Sequence, residues 1–274
     1  MVAFRKMHGL GNDFVVLDGR PGAPGGAPVP TPALARALAD RHRGVGCDQI
    51  ALIEAAEGAD LALRFWNRDG SESAACGNAT RCVARAEMDR TGAAALTIRT
   101  ARGTLRAEDR GGVAAVDMGR PLWGWRDVPL AEPLDTDRLP LPGEPVATSM
   151  GNPHLTFFVA DAEAVDLAAF GPPWEAHPLF PQRTNVQVAQ VIAPDRVRMR
   201  VWERGAGVTL ASGSSSCATV VAGVRRGLLD RRATVALDGG ELEVDWREDG
   251  LWLAGPAAEV FSGTLSPAWL DSAA

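Results

Sequence analysis

The chain repeats itself. Asn67 is followed, after eight intervening residues, by Cys76-Gly77-Asn78-Ala79-Thr80, and Glu203 is followed at the same interval by Ser212-Gly213-Ser214-Ser215-Ser216. A Gly11-Asn12 pair lies upstream of the first stretch and a Gly151-Asn152 pair upstream of the second, 64 and 60 residues from Asn to the reactive side chain. Each pair sits beside an apolar strand, Phe14-Val15-Val16 or Phe157-Phe158-Val159. Four features in register argue for an internal duplication, with two similar α+β lobes and a site in the cleft between them.

Composition narrows the chemistry. With 274 residues, 46% of them apolar, the chain can bury one large core or two smaller ones. The net charge of −6 and the lack of a basic block speak against nucleic acid. No apolar run approaches the roughly 18 residues of a membrane span, and Met1-Val2-Ala3-Phe4-Arg5-Lys6 is no signal region. A soluble cytoplasmic protein is expected. The cysteines Cys47, Cys76, Cys82 and Cys217 form no CxxC pair and the histidines no HxxxH, so neither a disulfide framework nor a bound metal is expected. Lys6 is the only lysine, which speaks against a pyridoxal Schiff base and leaves a chemistry without cofactor.

Short strands are predicted at Phe14–Asp18, Gln49–Glu54 and Leu61–Trp66, and a helix from Thr31-Pro32 to about Arg41 with Thr as N-cap and Pro at N1. Gly77 to Arg90 reads as a helix stopped by Gly92. Strands at Thr97–Thr100, Thr104–Glu108 and Val113–Met118 close the first half. The proline-rich stretch Pro121 to Pro145 reads as the connection. The pattern then restarts, with a strand at Leu155–Val159, a helix at Ala162–Ala168, strands at Asn185–Ile192 and Val197–Trp202, a helix from Gly213 to about Arg226, and strands within Thr234–Ser262. The lobes are thus expected at 1–118 and 119–262, with the tail from about 263 to 274 packing back on the first.

A side chain just before a helix meets unpaired backbone N–H groups and the positive end of the macrodipole. That environment favours a thiolate at Cys76, below the free thiol value of about 8.5, and the same amides form an anion cradle. Two such turns could hold one carboxylate, so that one group removes the Cα proton and the other returns one to the opposite face. Cys82 and Cys217 fall on the apolar stripes of their helices and read as core. Cys47 reads as packing, and His154 as either a loop residue or part of the site.

These residues resemble diaminopimelate epimerase, a cofactor-independent family of amino-acid epimerases in lysine and cell-wall precursor synthesis. The marks run nearly end to end: Met7-His8-Gly9-Leu10-Gly11-Asn12-Asp13-Phe14, Gly44-Val45-Gly46 with Asp48-Gln49, Asn67 with Asp69-Gly70-Ser71-Glu72, Cys76-Gly77-Asn78 with Arg81-Cys82, Gly151-Asn152-Pro153-His154, Thr184-Asn185-Val186, and Glu203-Arg204-Gly205-Ala206-Gly207. The resemblance implies an α+β fold of two pseudosymmetric lobes, each a central helix wrapped by mainly antiparallel sheet, and a homodimer. It implies Cys76 as one catalytic acid/base, with Ser212 at the position of the second. It implies Asn12, Asn67, Asn152, Asn185, Glu203 and Arg204 as binding residues for diaminopimelate, the amides of Gly77, Asn78, Gly213 and Ser214 as the carboxylate cradle, and Gln49 and His154 near the reacting centre.

Ser212 departs from the family, which has a second cysteine there, and Ala79 and Ser215 stand where the family tends to have glycine. A hydroxyl is a far weaker acid than a thiol and relays protons poorly without an activating base. The expectation is a chain that binds substrate and epimerises it poorly. Three readings stay open for Ser212: an engineered substitution in an otherwise ordinary epimerase, the mark of a natural one-base racemase or dehydratase acting on another amino acid, or the sign of a non-catalytic amino-acid-binding relative.

Overall fold

The computed structural model describes residues 1–74 and 76–273. These form two compact units, Met1–Val116 with Gly255–Ala274, and Asp117–Ala254. The fold class is α+β.

The first unit opens with a hairpin of β1 (Val2–Gly9) and β2 (Asn12–Asp18). Its two-residue turn places both Leu10 (φ 56°) and Gly11 (φ 88°) in the left-handed region, the geometry that matches strand twist in tight hairpins. Then come α1 (Pro32–Ala39), β3 (Gln49–Glu54), β4 (Leu61–Asn67), the short β5 (Glu72–Ser73), α2 (Gly77–Thr91), β6 (Ala95–Thr100), β7 (Gly103–Asp109) and β8 (Ala114–Asp117). Thr31 caps α1 by accepting from Leu34 N at 3.1 Å, with Pro32 at the first turn. Gly92 ends α2 in the left-handed conformation at φ 72°.

The second unit holds β9 (Val146–Ser149), β10 (Pro153–Phe158), α3 (Leu167–Glu175), β11 (Asn185–Ala193), β12 (Arg196–Glu203), β13 (Gly207–Thr209), α4 (Gly213–Arg225), β14 (Arg232–Leu237), β15 (Gly240–Trp246) and β16 (Leu251–Ala254). The chain then returns to the first unit as β17 (Ala258–Leu265) and α5 (Pro267–Ala273).

The duplication is written into the strand pairing. β2 runs parallel to β3 with Phe14 opposite Gln49, and β10 runs parallel to β11 with His154 opposite Asn185. β4 pairs antiparallel with β5 (Trp66 with Glu72) and parallel with β6 (Leu61 with Ile98), while β12 pairs likewise with β13 (Trp202 with Val208) and β14 (Val197 with Val235). The following hairpins match too, Ile98 with Leu105 and Val235 with Leu242. One residue-for-residue correspondence follows. Asn12 is equivalent to Asn152, Phe14 to His154, Gln49 to Asn185, Asn67 to Glu203, Cys76 to Ser212 and Ala79 to Ser215.

In each unit the helix after the reactive residue is central. α2 packs on β1, β2, β6 and β7, and α4 on β9 to β12 and β14 to β16. Both are buried nearly all round, with Ser215 to Gly223 continuously inside, the signature of a helix enclosed by its own sheet. Separate clusters pack the flanks. Leu34 and Leu38 of α1 meet Val15, Leu17, Ile50 and Trp66 in the first unit, and Leu155, Phe157, Val186 and Val188 gather in the second.

Three expectations need correction. The second lobe ends at Ala254 rather than 262, because β17 pairs along β1 (Val2 with Leu265 to His8 with Ala258). The stretch from Pro121 to Pro145 is no free connection, since Val128, Leu130 and Leu139 are buried in the second unit's core. The helix expected at Ala162–Ala168 starts instead at Leu167, because Asp166 accepts from the amides of Ala168 and Ala169 at 3.0 and 3.3 Å and caps it there.

Two carboxylates, the partly buried Asp13 and the buried Glu87, link the first unit to pH. Burial raises the Asp13 pKa, but hydrogen bonds from Arg41 and Lys6 outweigh it and hold it at about 2. Burial likewise opposes, and Arg90 and Arg20 outweigh, at Glu87, which lies at about 2. Both folded-state values are depressed, so the stabilisation is present above the ordinary carboxylate range and is lost as pH falls toward 2. Urea unfolding is expected to weaken between about pH 5 and pH 2. Asp13→Asn and Glu87→Gln should each lower stability at pH 7 and flatten that decline; a variant with the parent's slope would refute the assignment.

Candidate active site

The reactive turns have the same backbone and different partners. Cys76 is the N-cap of α2 at φ −147°, ψ 103°, and its Sγ accepts from Ala79 N at 3.4 Å. Ser212 is the N-cap of α4 at φ −140°, ψ 113°, and its side chain makes no capping hydrogen bond. Ser212 Oγ lies instead 3.0 Å from Glu203 Oε2 and 2.9 Å from Ser215 Oγ. The sulfur is turned to the helix amides, which favour a thiolate. The oxygen is turned to a carboxylate, a candidate proton acceptor for a group too weak to ionise alone. Gly77, Asn78, Gly213 and Ser214 occupy the first helical positions, where backbone N–H groups have no partner within the helix. They are the amides available to an anion.

Around Cys76 the carboxamides are locked. Asn78 Nδ2 donates to Asn12 Oδ1 at 3.1 Å, and Asn78 Oδ1 accepts from the fully buried Arg81 at 3.0 Å. Asn12 Nδ2 donates to Asp48 Oδ2 at 2.9 Å, and Arg41 holds Asp48 at 2.8 Å. Arg81 lies against Gly9, where an added Cβ would stand 2.5 Å from its Nη2, so the Gly9 position is needed to admit the guanidinium. Gln49 Nε2 donates to Asn67 Oδ1 at 2.8 Å, and Asn67 Nδ2 donates to Ser71 Oγ at 3.0 Å.

Around Ser212 the equivalent positions carry other groups. Asn185 Oδ1 accepts from Arg204 N at 2.9 Å and its Nδ2 donates to Pro153 O at 3.1 Å, tying β10, β11 and the β12–β13 turn together. Glu175, almost buried on α3, accepts from Gly205 N at 2.8 Å and Trp202 Nε1 at 2.6 Å and so fixes the same turn. Arg204 is exposed and donates to Gln182 O at 2.9 Å. Glu203 Oε1 accepts from Thr209 Oγ1 at 2.5 Å. His154 is fully buried, with Nε2 3.0 Å from Asn152 Oδ1 and Nδ1 3.0 Å from Gln187 Nε2. It is neither a loop residue nor at the surface of its unit.

Thus in the first unit Asn12 bonds Asn78, two residues beyond Cys76, and Gln49 bonds Asn67. Asn152, His154, Asn185, Glu203 and Arg204 gather near Ser212 in the second. Sequence reasoning passed over Asp48, Arg81, Thr209, Gln187, Ser215 and Glu175 as working parts. The apolar run of β11 through Val186, Val188, Ala189 and Val191 could have flagged Gln187, a carboxamide set within a strand buried on both faces. The remaining thiols are inert by burial, which raises Cys47 to about 12 and Cys82 to about 11, and Cys217 is wholly buried. Among the described residues no group of three or more His, Cys, Asp or Glu could hold a metal, and no helix is long and apolar enough to cross a membrane.

The family model for diaminopimelate epimerase matches residues 4–123 and 146–260. The chain is 56% identical to the diaminopimelate epimerase of Rhodospirillum centenum over 272 residues, covering 96% of this chain and 92% of that protein. The chain belongs to the diaminopimelate epimerase family. It is 55% identical to the enzyme of that name from Acidiphilium cryptum, with 97% of each covered. At this similarity over nearly the full length, the chain is an isomerase of the epimerase type. The family fold extends to distant solved structures. A hydroxyproline epimerase from Agrobacterium vitis superposes with a TM-score of 0.66 at 16% identity, covering 96% of this chain and 91% of that one. A phenazine biosynthesis protein from Bacillus anthracis superposes at 0.64 with 14% identity, covering 97% and 99%. These last two speak to the fold alone. The unmatched gap at 124–145 falls in the proline-rich stretch that packs on the second unit's core.

Proposed function

We propose that this epimerase interconverts LL- and meso-diaminopimelate by proton transfer at one Cα, with Cys76 and Ser212 as the two proton-transferring groups and no cofactor. The observation that carries the reading is the equivalence of Cys76 and Ser212 as N-caps of the two central helices, in a chain 56% identical to a diaminopimelate epimerase. The amides of Gly77, Asn78, Gly213 and Ser214 bind the reacting carboxylate and stabilise the charge that develops when the Cα–H bond breaks. Asn67, Glu203 and Arg204, with the carboxamides of Asn12, Asn152 and Asn185, supply polar groups for the rest of the substrate. Gln49 and His154 act through Asn67 and Asn152, the partners to which they are bonded.

Cys76 works as thiolate and thiol. At Ser212 the step needs Glu203. As Ser212 Oγ takes the Cα proton, its own proton passes to Glu203 Oε2, and the reverse transfer returns a proton to Cα. Because a hydroxyl is the weaker acid, turnover is slow, and the Cys76 half-reaction outruns the Ser212 half-reaction. Incubation with LL-diaminopimelate and with the meso form in D₂O, followed by NMR, tests this reading. One isomer should exchange its Cα proton faster than it inverts, and meso product should accumulate slowly with deuterium at the inverted centre. Absence of both exchange and inversion at saturating substrate, in this chain and in its Ser212→Cys variant alike, would remove diaminopimelate as the substrate.

A further inference from the structure

The second unit carries a buried polar chain where the first carries hydrocarbon. His154, Thr156, Gln187 and Ser215 are each fully buried, and their equivalents Phe14, Val16, Ala51 and Ala79 are buried apolar residues. Burying four polar side chains in place of apolar ones is costly unless each finds its partner, and these four find each other.

Donor and acceptor capacity orients these bonds. Asn152 Oδ1 can only accept, so His154 Nε2 carries the hydrogen and Nδ1 is the bare acceptor. Thr156 Oγ1 donates to Gln187 Oε1 at 3.2 Å, so the amino group of Gln187 serves both His154 Nδ1 and Ser215 Oγ, each at 3.0 Å. With the Nδ1 lone pair taken and 3.5 Å away, the Ser215 hydroxyl directs its one hydrogen to Ser212 Oγ at 2.9 Å. Ser212 in turn donates to Glu203 Oε2 at 3.0 Å. The opposite polarity would leave two oxygens, on Ser212 and Glu203, facing each other at 3.0 Å with no hydrogen between them.

From this we infer that Ser215 is a positioning residue for the proton transfer at Ser212. Anchored by Gln187, its hydroxyl donates to Ser212 Oγ, keeps the Ser212 hydrogen directed at Glu203 Oε2 and steadies negative charge on Ser212 Oγ as that proton passes to the carboxylate. The internal comparison carries the point. Where the reactive atom is sulfur, residue 79 is alanine, which has no side-chain donor to offer, and its backbone amide meets Sγ. Where it is oxygen, the equivalent residue brings a hydroxyl. An oxygen needs the extra donor, and a thiol, which ionises far more readily, does not.

The inference rests on the proposed epimerase reading, and its test separates the two. Ser215→Ala copies the first unit's own residue at that position and should fold. In the parent chain it is expected to lower kcat for diaminopimelate about tenfold, with KM within twofold and the rise of kcat with pH displaced upward. In the Ser212→Cys background the same change should move kcat less than threefold. An equal loss in both backgrounds would make Ser215 merely structural, and no loss in the parent would overturn the inference outright. A parent with no turnover beside an active Ser212→Cys variant would keep the substrate and overturn the inference. If neither turns over, the substrate reading fails, and proton NMR decides. A slowly exchanging buried hydroxyl resonance that Ser215→Ala removes supports the arrangement, and its absence from the parent overturns it.

Discussion

Ser212→Cys is expected to raise kcat for diaminopimelate roughly 10²-fold, the low end of what a well-matched acid/base group contributes. The substitution changes one atom at a position whose backbone already matches that of Cys76 within about 10° in both φ and ψ. It should leave KM nearly unchanged, because the amides of Gly213 and Ser214 are main-chain groups that the new side chain does not alter. The longer side chain replaces an oxygen that sits 3.0 Å from Glu203 and 2.9 Å from Ser215, so the sulfur must settle slightly outward, toward substrate. Steady-state rates of the two proteins measured in both directions provide the check. A gain confined to one direction cannot occur in kcat/KM, since the equilibrium between the isomers is fixed. The informative split is therefore between inversion and Cα exchange. Exchange through Cys76 should be little altered while inversion accelerates to meet it. Equal rates for the serine and cysteine chains would mean that Glu203 activates the hydroxyl fully, and that the weaker acid costs nothing here.

Much of this was legible before any coordinate. The interval from Asn67 to Cys76, repeated from Glu203 to Ser212, is a complete structural unit: strand end, tight turn, short returning strand, N-cap. Its regularity survives because a helix start needs a residue of extended backbone followed by unpaired amides, and few sequences satisfy both. Strand registers were not legible, because pairing is set by partners 30 to 40 residues away, as for Phe14 with Gln49 and Leu61 with Ile98. Nor was β17, which pairs with a strand some 250 residues earlier in the chain. Ser215 looked like one of several small residues at a helix start. Its role depends on Gln187 and His154, which lie on two other strands, and only the fold brings the three together. Asp48 and Arg81 were hidden for the same reason, since each acts through a carboxamide rather than toward the solvent.

Cys76→Ala is expected to remove inversion and Cα exchange together, with kcat falling by at least about 10²- to 10⁴-fold. At Ser212 a carboxylate stands behind the reactive oxygen. At Cys76 the corresponding position is Asn67, which cannot take a proton, and its carboxamide is spent on Gln49 and Ser71. Ala79 N and the amides of α2 help the thiol to ionise. The buried thiols do not replace it: Cys47 and Cys82 are pushed to about 12 and about 11 by burial, so neither is a thiolate near neutrality. Two measurements bring this out. Iodoacetamide at pH 7 should label Cys76 alone in the native parent, with one adduct by mass and parallel loss of turnover, and substrate should protect it. The alanine variant should take up no label while native and should still bind diaminopimelate within a few-fold of the parent, because the cradle amides remain. Labelling at a second cysteine would show that one of the buried thiols is more accessible than its packing implies. Retained exchange in the alanine variant would place the first proton transfer on Ser212 and reverse the roles assigned to the two helix caps.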